Sequence, residues 1–148
     1  MSPTPRLPPL PKEAWSDDAV AALRTAFGDA AAEHFLATGP DAPHMPNVLG
    51  VLAHHPKLAE RFLAYNTTLL LRPTLEPRWR ELSILRVAWR TRSLYEWAQH
   101  VVMASSCDIT PEEVAAIPDG PTAPIWDEMA SDLLAATDQM LDDYRIDD

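Results

Sequence analysis

Polar and apolar positions along this chain follow a helical period almost from end to end. Ser16 stands before Asp17 and Asp18, and Val20, Leu23 and Phe27 then recur at helical spacing up to Gly28, which together give a start signal, an apolar face and a stop signal for one helix. The run Gly28 to Gly39 predicts a second, short helix, and a loop follows with Pro40, Pro43 and Pro46. The segment from Asn47 to His55 predicts a helix separated by Pro56 from the next one, which runs through Leu71. Residues 78–92 carry Leu82, Ile84, Leu85, Val87, Ala88 and Trp89 on nearly all sides, the pattern of a central helix. Residues 93–106 place Trp97, Val101 and Ala104 on one stripe with Glu96 and His100 beside it. Thr110, Pro111 and Glu113 form the signature of a capping box, and Trp126, Met129, Leu133 and Met140 predict a last amphipathic helix with acids outward. No segment alternates as a strand does, so the expected fold is all-α, with about six to seven helices.

Prolines at positions 3, 5, 8, 9 and 11 set the beginning of the chain apart. Proline removes amide donors, so residues 1–14 are expected to form an extended arm and residues 15–148 a single helical domain. With 148 residues, 47% of them hydrophobic, the chain suits one core of ordinary size. No apolar run approaches the roughly 18 residues that cross a bilayer, and the start lacks the apolar stretch of a secretion signal. A cytoplasmic protein without membrane contact is expected. Cys107 has no second cysteine to pair with and is expected to pack as a small apolar residue.

The net charge of −10 is unevenly placed. Residues 108–148 hold 12 acids against Arg145 alone, whereas residues 1–107 are nearly balanced. This argues against a nucleic-acid partner. Arg72, Arg78, Arg80, Arg86, Arg90 and Arg92 fall close together. Pairing with acids on neighbouring helices or chains is the simpler reading, and an anion site is the sharper one. Four glycines leave no phosphate-cradling cluster, and no cofactor is expected.

The order of signals from Pro46 to Phe62 and from Arg80 to Ile117 resembles the carboxymuconolactone decarboxylase and alkyl hydroperoxidase D-like family. In the peroxidase branch a glutamate is followed after eleven residues by Cys-x-x-Cys and, after three more, by histidine. That spacing, laid from Glu81, lands on Ser93, Glu96 and His100. The resemblance implies the family's helical fold, assembly into homotrimers or hexamers, a small-molecule substrate, and reactive positions at Glu81, Glu96 and His100. Both thiols of the peroxidase are replaced, so peroxide reduction, which needs an attacking and a resolving thiol, is not expected. The decarboxylase branch commonly continues past the position of Leu141 into a closing helix. The resemblance therefore implies either a shortened chain or cover from neighbouring subunits.

Two carboxylates and an imidazole suit proton transfer, as in decarboxylation, where a donor protonates the developing enolate or carbanion. Ser93, Asn66, Trp97 and His55 are further candidates for lining the substrate pocket. A purely structural role would make Glu96 and His100 a surface pair one turn apart and would have Glu81 neutralise Arg78 or Arg86. Two other functions stay open at this point: an oligomeric small-molecule-binding protein without turnover, and a metal-dependent enzyme with a Glu/Glu/His site.

Overall fold

The computed structural model describes residues 5–147, so the first four residues of the proline-rich arm, Pro3 among them, and Asp148 lie outside it. The described residues are helical without strands, in two compact units that divide at Pro73 and Thr74.

The first unit holds a 3₁₀ turn, Lys12–Ala14, and helices α1 (Asp17–Phe27), α2 (Asp29–Leu36), α3 (Asn47–Leu52) and α4 (Pro56–Leu71). Ser16 caps α1 by accepting the Ala19 amide at 3.3 Å. Gly28, at φ +82°, ends α1 and begins α2: its amide donates to Arg24 and its carbonyl accepts from Ala32. The two helices thus share one residue that tolerates the left-handed turn. α1 lies along α4. Ala22, Leu23, Ala26, Ala32, Leu49, Ala59 and Leu63 form the core, four alanines among them, and small side chains let the helix axes approach closely.

The proline-rich segment is extended, and it docks. The Leu10 amide donates to the Gly50 carbonyl at 3.0 Å, Trp15 Nε1 donates to the Leu10 carbonyl, and His54 Nε2 meets the Pro8 carbonyl at 2.9 Å. Gly50 makes this possible, because a Cβ there would stand 2.8 Å from Pro9 Cβ. The outer face of α4 leaves Leu58, Phe62, Tyr65 and Leu69 exposed at intervals of four, three and four residues.

The second unit contains α5 (Pro77–Arg90), α6 (Leu94–Ala104), α7 (Pro111–Ala116) and α8 (Glu128–Asp142), with 3₁₀ turns at Ser105–Cys107 and Ile117–Asp119. Among the described residues there are eight α-helices, against an expected six to seven. α5 packs against both α6 and α8. Leu82, Leu85, Ala104, Ile109, Ile117, Ala130 and Leu134 fill the core, and Cys107 is buried among them as a small apolar residue. The capping box at Thr110 and Glu113 is formed. α8 departs in part from the expected stripe: Leu133, and Trp126 just before the helix, pack against the core as expected. Met129 and Met140 are exposed, while Ala130 and Leu134 are buried. The helix is turned so that Asp138 meets the buried Arg86 with both oxygens, at 2.8 and 2.7 Å. Arg86 also donates to the Ile117 carbonyl at 2.6 Å, so its charge is matched inside the unit.

Among the described residues no helix is long and apolar enough to cross a membrane.

Candidate functional site

α5 and α6 are joined by a turn of three residues whose backbone fixes the register between them. The Ser93 amide donates to the Ala88 carbonyl and the Arg92 amide to that of Trp89, with Arg92 at φ +56°. This is the paired bond pattern that closes many helices, with arginine in the left-handed position usually given to glycine. The turn folds α6 back along α5 and brings His100 over Glu81, nineteen positions away in sequence.

Glu81 is fully buried, yet both of its oxygens are used. Oε1 accepts from Arg80 Nε at 3.1 Å, and Oε2 lies 2.5 Å from His100 Nδ1. The carboxylate accepts, so Nδ1 carries the hydrogen and the ring is held in one orientation. On the opposite edge of the ring Nε2 faces Glu96 Oε2 at 3.5 Å. The side chains of Glu81, His100 and Glu96 are 0%, 13% and 50% exposed, which makes a line of polar groups running from the core of the unit to its surface. Glu96 lines a cavity of about 350 Å³ together with Ser83, Ile84, Val87, Thr91 and Ser93. A second cavity, of about 700 Å³, shares Ala88 and Ser93 with the first and is walled by Trp89, Leu94 and Trp97, with Arg90 and Arg92 in its lining. The two indoles stand 5.5 Å apart, tilted by 56°.

Three of the seven site residues read from the sequence are thus brought together as one chain of contacts, and Ser93 and Trp97 line the adjoining space. His55 and Asn66 lie in the first unit, on or beside α4. His55 Nδ1 accepts the Leu58 amide as the cap of that helix, and neither residue lines a cavity of the second unit. Glu81 does not serve Arg78 or Arg86. Arg78 is engaged by Glu113 at 2.5 Å and Arg86 by Asp138. The group that holds Glu81 is Arg80, its immediate neighbour. Spacing gave no sign of this, because successive residues on a helix point in different directions.

The three-ligand metal arrangement is not formed. Among the described residues no group of three His, Cys, Asp or Glu side chains is placed to hold a metal ion. Here the imidazole stands between the two carboxylates and offers each a different nitrogen, so their lone pairs do not converge on one point.

The charged network around the site is set by α7 and α8. The hydrogen bond from Arg78 holds the Glu113 carboxyl below its ordinary range, against the opposing effect of burial. Burial pushes the Asp138 carboxyl upward, but hydrogen bonds and charge from Arg86 and Arg90 outweigh it and leave the group lowered.

Residues 56–139, more than half of the chain, match the carboxymuconolactone decarboxylase family. Comparison with curated proteins and with solved structures gave no match. The chain belongs to the carboxymuconolactone decarboxylase family.

Proposed function

We propose, from this family membership and from the geometry of α5 and α6, that the protein is an acid/base lyase acting with its own side chains on a small carboxylated lactone or enolisable acid. The observation that carries the reading is the buried Glu81 carboxylate fixing His100 Nδ1 at 2.5 Å while Nε2 faces Glu96, which in turn lines the 350 Å³ cavity. An imidazole held this way by a carboxylate is oriented for proton transfer at its other nitrogen. In decarboxylation the C–C bond to the substrate carboxylate breaks, CO₂ leaves and the electron pair moves onto an enolate oxygen. A proton passed from His100, directly or through Glu96, then returns to carbon, and water reprotonates the relay. Peroxide reduction is left out of the proposal because Ser93 and Glu96 occupy the thiol positions and Cys107 is buried in the core.

The exposed apolar stripe on α4 supports self-association, since contiguous apolar surface of that kind is commonly covered in assemblies. Binding without turnover is the second reading, and the 700 Å³ cavity favours it.

The test is a panel of enolisable acids in D₂O, followed by proton NMR for deuterium incorporation and by CO₂ release. Turnover is expected to fall by about 100-fold or more in His100→Ala and Glu81→Gln. Full activity in His100→Ala would overturn the lyase reading, and saturable binding with no turnover of any acid would leave the binding reading in its place.

A further inference from the structure

The cluster of arginines noted in the sequence resolves unequally. Arg78 is paired with Glu113, Arg80 with Glu81, Arg86 with Asp138, and Arg90 with both Asp138 and Asp142. Arg72 and Arg92 have no side-chain partner among the described residues, and of the two it is Arg92 that lines the 700 Å³ cavity. Its backbone lies in the left-handed region at φ +56°, where glycine would be less strained. A strained position occupied by an unpaired cation at the edge of a cavity calls for a role of the side chain itself.

The cavity around it has two further properties. Trp89 and Trp97 present aromatic surface on one wall, and the N-terminus of α6 opens into it through Ser93 and Leu94. The Ser93 side chain makes no capping bond to the helix, which leaves its hydroxyl available as a donor. Helix start, hydroxyl and guanidinium all favour negative charge, while the indoles favour a flat ring.

We propose that this cavity binds a flat aromatic carboxylic acid, its ring against Trp89 and Trp97 and its carboxylate on Arg92 and Ser93. The inference deepens the binding reading above and not the lyase reading: loss of CO₂ from a ring carboxylate would leave no enolate, so the occupant is a ligand of this cavity, which adjoins the one that Glu96 lines. It makes Arg92 and Trp89 determinants of ligand class: Arg92 selects the anion and Trp89 the aromatic ring. A volume of about 700 Å³ accommodates a ring system of two fused six-membered rings with room for solvent.

The experiment uses the full chain and three probes: 2-naphthoate, its neutral counterpart 2-naphthamide, and the saturated decalin-2-carboxylate. Binding is followed by isothermal titration and by tryptophan fluorescence. Naphthoate is expected to bind about tenfold or more tighter than either of the others, the preference that one charge-assisted hydrogen bond or one stacked ring supplies. Arg92→Gln should erase the preference over naphthamide, and Arg92→Lys should retain part of it. Trp89→Leu should erase the preference over the saturated acid; this indole is half exposed and lies outside the core, so the variant is expected to fold. His100→Ala should leave all three affinities within about twofold, since His100 does not line this cavity. Equal binding of naphthoate and naphthamide, a preference that survives Arg92→Gln, or no saturable binding of naphthoate would overturn the inference. Turnover of other acids that depends on His100, without naphthoate binding, would sink this inference alone. Selective naphthoate binding without turnover of any acid would sink the lyase reading alone.

Discussion

Replacing Glu81 by glutamine changes one atom in a fully buried side chain and tests the arrangement at its centre. The carboxylate receives two donors, Arg80 Nε at 3.1 Å and His100 Nδ1 at 2.5 Å, one on each oxygen. Glutamine keeps the shape but has a single acceptor oxygen, so its NH₂ group must face one of the two donors. One charge-assisted hydrogen bond is lost, and either Arg80 faces the NH₂ group or the imidazole gives up its Nδ1 hydrogen to accept from it, at a cost of about 2 kcal/mol. In urea this lowers the unfolding midpoint by about 1 M for an ordinary dependence on denaturant. The double variant Glu81→Gln/His100→Ala makes the expectation specific. With the imidazole gone, the amide can turn its oxygen to Arg80, and the substitution should cost at least about 1 kcal/mol less than in the parent. Long-range ¹H–¹⁵N spectra provide a second readout, in which the hydrogen should sit on Nδ1 of His100 in the parent and lose that fixed placement in Glu81→Gln. A cost below about 0.5 kcal/mol, with no coupling in the cycle, would refute the claim that two donors converge on Glu81.

Three other outcomes are expected. The lowered Glu113 and Asp138 carboxyls contribute stability that is fully present above the unfolded carboxylate values of about 4 and is lost as pH falls through the folded values; Asp138→Asn should make acid unfolding visibly less steep, and an unchanged acid limb would count against the Arg86–Asp138 pair. Arg92→Gly should stabilise the fold by about 1 kcal/mol in denaturant titration by relieving the left-handed backbone, and a loss of stability would mean that the side chain holds the turn together. Phe62→Glu with Leu69→Glu, placing charge on the exposed α4 stripe, should shift sedimentation at micromolar concentration to smaller species without loss of helicity; an unchanged distribution would count against the proposal that α4 mediates self-association.

Signals that act within four residues were legible before the fold was known. Ser16 and Thr110 cap the helices they precede, and Gly28 ends α1, because a cap is satisfied by amides of its own first turn and a glycine stop by its own backbone. The Glu96–His100 pair was readable for the same reason, being one turn apart on one helix. The family resemblance added Glu81, and the turn at Arg92 brings it to His100. What the sequence left open was decided over long separations. Asp138 reaches Arg86 across fifty-two positions, and on the helix that carries it Leu133 meets the core, as does Trp126 just before it, while Met129 and Met140 face outward, against half of the stripe their spacing suggested. Arg80, rather than Arg78 or Arg86, became the partner of Glu81 once Glu113 and Asp138 had engaged the other two. Arg92 was left without a partner among the described residues by the same allocation. Side-chain pairing depends on where helices cross and how they are rotated, and those quantities are set by packing of the whole core. The local pattern therefore determined which segments are helices and where most of them begin and end, and the tertiary packing determined which charges meet, which remain available, and where the cavities open.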